Sequence, residues 1–152
     1  MCGLIMSGCK KKIVIENTKY FRYSYSVGVY VNGNSSFEIE KLDDKYMAYY
    51  KPVGMSEEKR MEKEVTTDYV LGLEKILNDH TIYKWNGFNK ADKYVLDGND
   101  FHLTYKKDDD ITITASGYMK YPDGYRGFES DIGNYFEELF KEELEKQKTT
   151  NE

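Results

Sequence analysis

The chain has 152 residues, a net charge of −5 and a pI near 5.2. That length suits one domain with its own core, and the acidic balance argues against a nucleic-acid binder that works by neutralising phosphates. Tyrosine is overused at 15 residues and proline occurs only twice, while 15% aromatic content argues against disorder. No run approaches the ~18 apolar residues of a membrane span.

Both cysteines, Cys2 and Cys9, fall at the N-terminal end. The rest of the sequence therefore carries no disulfide framework and no thiolate metal site. Residues 4–9 read Leu-Ile-Met-Ser-Gly-Cys and give way abruptly to Lys10, Lys11 and Lys12. This string resembles the end of a bacterial lipoprotein signal peptide. In such signals an apolar residue and two small residues precede the cysteine that is acylated and becomes the new N-terminus. Small side chains give the peptidase room beside the scissile bond, and the thiol accepts the acyl chain. A complete signal also has a charged n-region and an apolar stretch of ~7–15 residues. Only eight residues precede Cys9, none of them Lys or Arg. The expectation is lipidation at Cys9, with a basic and apolar extension in frame upstream of Met1. Residues 1–9 are read as the signal-like segment, 10–18 as tether and first strand, 12–146 as a single α+β domain and 147–152 as a polar tail.

From Lys12 to Pro52 the pattern is that of strands. Ile13 and Ile15 flank Val14 in an apolar run; Tyr23, Tyr25 and Val27 then alternate with Arg22, Ser24 and Ser26, the period of a strand with one buried face. Asn32-Gly33-Asn34 marks a turn, Phe37 and Ile39 open the next strand, Asp43-Asp44 turns again, and residues 46–51 form a third. Residues 59–65 read as a short strand or a helical entry. Thr66 or Thr67 is a suitable N-cap, and Val70, Leu73, Ile76 and Leu77 space a helix over 68–78. The segment 84–100 is irregular. Phe101, Leu103 and Tyr105, then Asp108 to Asp110, then Ile111, Ile113 and Ala115 give the clearest hairpin. After a glycine- and tyrosine-rich crossing, Phe128, Ile132, Tyr135, Phe136, Leu139, Phe140 and Leu144 lie on one stripe of a long helix. The expected fold is α+β: an antiparallel sheet of about five to six strands with one face covered by two helices, the second a C-terminal amphipathic helix.

Five strings, residues 84–88, 95–98, 101–103, 115–119 and 121–125, together resemble a family of small uncharacterised bacterial proteins. Many of its members look like lipoproteins of gut Firmicutes and relatives. The resemblance covers roughly residues 65–140. It implies an α+β fold and an envelope address, and it transfers no catalytic residue.

The common chemical motifs are absent. There is no G-x-S-x-G elbow, P-loop or G-x-G-x-x-G string. His80 and His102 have no ligand partners at metal spacing. Asp97-Gly98-Asn99-Asp100 and Asp108 to Asp110 are acidic, but turn chemistry accounts for both better than calcium does. No catalytic residue, metal site or cofactor is assigned. The candidate ligand or partner patch comprises Trp85, Asn86, Phe88, Tyr94, Asp97, Tyr118, Tyr121 and Tyr125. Flat rings stack on apolar ligand faces while a polar group fixes orientation; the competing reading puts Trp85 and Phe88 in the core. The expectation is a non-catalytic envelope lipoprotein that binds a protein or glycan partner, meets the membrane through its lipid only and does not bind nucleic acid. The alternatives are a soluble intracellular interaction or regulatory protein and an enzyme with an unrecognised carboxylate site.

Overall fold

The computed structural model describes residues 10–28, 32–108 and 110–150. The segment 1–9, and with it the lipidation position Cys9, lies outside the described residues. Seven strands and three helices follow in the order β1 (Thr18–Ser26), β2 (Asn34–Leu42), β3 (Lys45–Lys51), β4 (Met61–Val65), α1 (Thr67–Asp79), β5 (Asn89–Ala91), β6 (Asp100–Lys107), β7 (Thr112–Tyr118), α2 (Tyr125–Leu139) and α3 (Lys141–Thr150). Short 3₁₀ turns occupy 57–59 and 82–85. The strands form one sheet in the order β4-β3-β2-β1-β6-β7-β5. All neighbours pair antiparallel except β5, which runs parallel to β7. The α+β class holds, but the sheet is mixed and has seven strands where five or six antiparallel ones were expected. The difference includes β5, whose three exposed residues are too few to show a period; it exists only because its backbone pairs with β7.

The alternation read from the sequence sorts the two sheet faces. Phe21 and Tyr23 of β1, Phe37 and Ile39 of β2, Ala48 and Tyr50 of β3, Phe101, Leu103 and Tyr105 of β6, and Ile113 and Ala115 of β7 are all buried in one core. Val70, Leu73 and Leu77 of α1 and Phe128, Ile132 and Phe136 of α2 complete it from above. Thr66 caps α1 through its side chain, which accepts from the Tyr69 N–H at 3.2 Å, and Asp68 adds a carboxylate to the first turn.

Two expectations change in detail. The run Ile13 to Ile15 is not a strand, because its hydrogen bonds go to a side chain: Ile15 N–H donates to Asn78 Oδ1 at 2.8 Å and its carbonyl accepts from Asn78 Nδ2 at 2.9 Å. The expected single C-terminal helix begins three residues earlier, at Tyr125, and breaks at Phe140. Phe140 is fully buried. Lys63, reaching across from β4, donates to the Leu139 carbonyl at 3.0 Å and pairs with Glu143 at 2.8 Å. A cation at the exposed carbonyls of a helix end is favourable, and here it also fixes where α3 departs. Residues 147–150 continue α3.

The α1–α2 crossing depends on a glycine. Tyr69 and Tyr135 stack at 4.4 Å between ring centroids. Each hydroxyl donates to the other residue's carbonyl, Tyr135 to Tyr69 at 2.6 Å and Tyr69 to Tyr135 at 3.3 Å. A β-carbon at position 72 would overlap the Tyr135 hydroxyl. In an exposed helix Gly→Ala is favourable by about 1 kcal/mol. Here Gly72→Ala is expected to lower stability by about 1–3 kcal/mol, the usual cost of overpacking, and adding Tyr135→Phe is expected to recover part of it. Urea unfolding of the two variants checks this; a Gly72→Ala chain more stable than the parent would refute the close crossing.

Candidate functional site

The eight patch residues do not converge on one surface. Trp85 and Tyr125 are only 4% and 3% exposed. Trp85 closes the 3₁₀ turn 82–85 and lies edge-on to Phe128 at 5.0 Å. The Tyr125 hydroxyl meets that of Tyr23 at 2.5 Å inside the core. Tyr121, half-buried, stacks on Phe101 at 5.8 Å and lies tilted against Tyr125 at 4.6 Å, with the Arg126 guanidinium over its ring. Asn86 anchors its segment to β7, its side-chain carbonyl accepting from the Thr114 N–H at 3.1 Å. Tyr118 holds the loop 92–99: its hydroxyl donates to the Val95 carbonyl and accepts from the Gly98 N–H. Tyr94 and Asp97 are exposed on that loop, with Asp97 in a left-handed turn conformation. Phe88 remains half-exposed on the sheet edge.

The register builds a different surface on the face turned away from α1 and α2. Residues of neighbouring strands, about 5 Å apart, form rows across the sheet. One row is Ser36, Ser24, His102 and Ser116; the next is Glu38, Arg22, Thr104 and Thr114; the third is Glu40, Tyr20, Lys106 and Thr112. Hydroxyls dominate, and His102, Thr112 and Thr114 are exposed. A shallow groove of about 360 Å³ lies over the first two rows, lined by His102, Thr104, Thr114, Ser116 and Asn89, with Phe88 at its rim. The histidine, hydroxyls and amide offer donors and acceptors on a rigid sheet, while the Phe88 ring packs against the core, 6.1 Å from Phe101, with the Lys90 ammonium over it.

The opposite half of the same face is closed. Glu38, 8% exposed, pairs with Arg22 at 2.8 Å and Arg60 at 3.5 Å, and Arg60 lies over the Tyr49 ring at 4.5 Å. Lys51 is fully enclosed and donates to the Asn34 carbonyl at 2.5 Å; burial pulls its pKa down, with Glu57 opposing. A cleft of about 450 Å³ between residues 52–59 and α3 has Lys59, Gln147 and Lys148 among its lining residues. Neither Lys51 nor the Arg22–Glu38–Arg60 group was foreseen, since only the cross-strand register brings them together.

Among the described residues no three His, Cys, Asp or Glu side chains cluster in a way that could hold a metal. His80 Nε2 meets Asp131 Oδ2 at 2.7 Å, which ties the end of α1 to α2. Asp108 pairs with Lys41 at 3.0 Å, and Asp110 takes a turn conformation. Among the described residues the carboxyl with a displaced pKa is Glu143, lowered chiefly by its hydrogen bond to Lys63; that pair is the helix-end clamp already described. No helix of the described residues is long and apolar enough to cross a membrane. In comparisons with known proteins, no family model and no curated protein matches the chain.

The buried tyrosines give the domain a pH limit. The hydroxyls of Tyr23, Tyr50, Tyr69 and Tyr125 are pushed well above the ordinary value of 10.0, first by burial. Neighbouring hydroxyls add to this at Tyr23 and Tyr69, and Glu137 at Tyr50. At Tyr125 the hydrogen bond from Tyr23 opposes it. Below pH 10 both states hold these protons and the contribution to stability is complete. Above it the unfolded chain releases them while the folded chain does not, so stability falls as pH rises. Tyrosinate absorbance is expected in two stages, the second coinciding with loss of circular dichroism. A single smooth titration of all 15 tyrosines with the fold intact would contradict the burial.

Proposed function

We propose that the protein is a non-catalytic module of the bacterial cell envelope, lipidated at Cys9, whose open sheet face binds a glycan. The observation that carries the binding is the uncovered polar surface of β1, β6 and β7. Its hydroxyl rows and the His102 side chain surround a shallow groove. A polyhydroxylated ligand matches such a surface, since its hydroxyls can exchange hydrogen bonds with the serine, threonine, histidine and asparagine side chains. A rigid, already-formed sheet loses little entropy on binding.

Lipidation rests on the run Leu4 to Cys9 and on the abrupt change to Lys10, Lys11 and Lys12. The resemblance of residues 65–140 to small envelope lipoproteins points to the same address.

Two measurements test the reading. In cells that express the gene from its own locus, a clickable fatty acid is expected to label the chain, and Cys9→Ser is expected to abolish both the label and recovery in the membrane fraction. An unlabelled parent chain would defeat the lipoprotein reading. With purified protein and isolated cell-wall polysaccharide, the parent is expected to co-sediment and His102→Ala combined with Thr114→Val to weaken this roughly tenfold, the combined scale of two hydrogen bonds. Equal co-sedimentation of parent and variant would remove the groove as the site.

A further inference from the structure

Residues 10–17 lie along the domain as a strap, held in the way a bound peptide is held. Ile15 is 2% exposed, and the Asn78 amide takes both its N–H and its carbonyl, at 2.8 and 2.9 Å. Ile13 also packs on the core, while Val14 between them stays in solvent. The Glu16 carbonyl accepts from the Tyr105 hydroxyl at 3.0 Å, and its carboxylate lies 3.6 Å from the Lys107 ammonium. At the far end the Lys10 ammonium donates to the carbonyls of Lys84 at 2.8 Å and Asn86 at 2.7 Å. Side chains of α1 and β6 and carbonyls of the turn 82–86 thus form a seat for one extended segment. Backbone bonds fix its register, and alternate side chains give the fit.

None of these contacts requires strap and seat to belong to the same chain, and the join between them is one residue. Asn17 is exposed and takes a left-handed conformation, φ 52°. Thr18 beyond it is anchored, its N–H and hydroxyl bonded to Glu74 at 3.1 and 2.7 Å. The pairing of β1 with β6 is irregular at the same point, between Thr18 and Tyr20. A left-handed residue beside an anchored one is a hinge. Asparagine tolerates that conformation better than most residues, yet at a cost that extended backbone does not carry. Every copy of the chain carries the segment that fits the seat, and such arms exchange between identical copies with no new contact needed.

We propose that the strap is exchangeable: in a two-fold dimer residues 10–16 of each copy fill the seat of the other, with Asn17 extended. Each Glu16 then lies where the other copy's Glu16 lay, so the two Asn17 hinges meet at the symmetry axis. The seat lies along α1, and the hydroxyl rows lie on the sheet face turned away from it, so the exchange leaves both grooves open. A dimer presents two of them on one body, and a polymeric ligand engages both at once. The exchange itself depends neither on lipidation nor on that ligand.

Analytical ultracentrifugation of the full chain, with reductant to keep Cys2 and Cys9 from cross-linking, tests this. The parent is expected to show a reversible monomer–dimer equilibrium. Asn17→Val places a β-branched residue that resists the left-handed region, and is expected to shift the equilibrium at least about tenfold toward the dimer. Asn17→Gly is at ease there and is expected to shift it toward the monomer. Ile15→Asp has a strap that cannot seat, and is expected to stay monomeric alone. Mixed with Asn78→Ala, it is expected to pair one-to-one, because the intact strap of that variant enters its intact seat. Parent and Asn17→Val chains that both stay monomeric, hinge variants that leave the equilibrium unmoved, or an Ile15→Asp chain that dimerises as readily as the parent would each overturn the exchange. The hinge variants keep the test decisive should Ile15→Asp fail to fold, since they leave the seat and residues 10–16 unchanged.

Discussion

The fold is organised around the ring of Tyr23. This side chain is fully buried at the centre of β1, the middle strand of the sheet. It stacks on Phe37 at 5.6 Å and meets Phe128 edge-on at 5.1 Å, so one residue joins β1 to β2 and to α2. Its hydroxyl also needs a partner, because an unmet hydroxyl in such a place costs several kcal/mol. Tyr125 supplies it from the first turn of α2. The start of α2, three residues ahead of the expected position, is thereby tied to the demand of a single buried oxygen. Tyr69 and Tyr135 repeat the device between α1 and α2, with carbonyls as partners. A core paved with tyrosines packs by area and is aligned by hydrogen bonds.

This arrangement leaves the other sheet face free to be polar. With the rings directed to the helices, alternation sends serine, threonine, arginine, glutamate and histidine outward. The connection 52–60 then divides that surface. Near β2 and β3, Arg60 meets Glu38 and Tyr49, and Lys51 is enclosed. Across β6 and β7 the hydroxyls remain open. The proposed ligand surface is therefore the part of the sheet that no charged network has taken.

Much of the architecture was legible because periodicity reports burial. Tyr23 and Tyr25 against Arg22 and Ser24, Ile113 and Ala115 against Thr112 and Thr114, and the stripe from Val70 to Leu77 each follow the element they form. The parts that were not legible depend on partners distant in sequence. Ile13 to Ile15 has the composition of a strand, yet the Asn78 amide takes its hydrogen bonds. The stripe through Phe140 is continuous in sequence, but Lys63 caps α2 there and ends the helix. The candidate patch mixed three kinds of aromatic residue that composition cannot separate: Trp85 and Tyr125 in the core, Tyr118 as a loop support and Tyr94 in solvent. The hydroxyl rows escaped notice for a related reason, since serine and threonine become a surface only once the strands are in register.

The strap from Lys10 to Asn17 has a mechanical consequence. A pull applied through its N-terminal end would meet separate fasteners in turn: the ammonium on two carbonyls, then the Asn78 amide, then Glu74 holding Thr18. These give way one after another, like a zip, and release slack before any load reaches the sheet. Beyond Thr18 the chain enters β1, bonded along both sides to β2 and β6, where many bonds share the force. The domain thus carries its own extension spring, eight residues long (10–17), in series with the middle strand of its sheet.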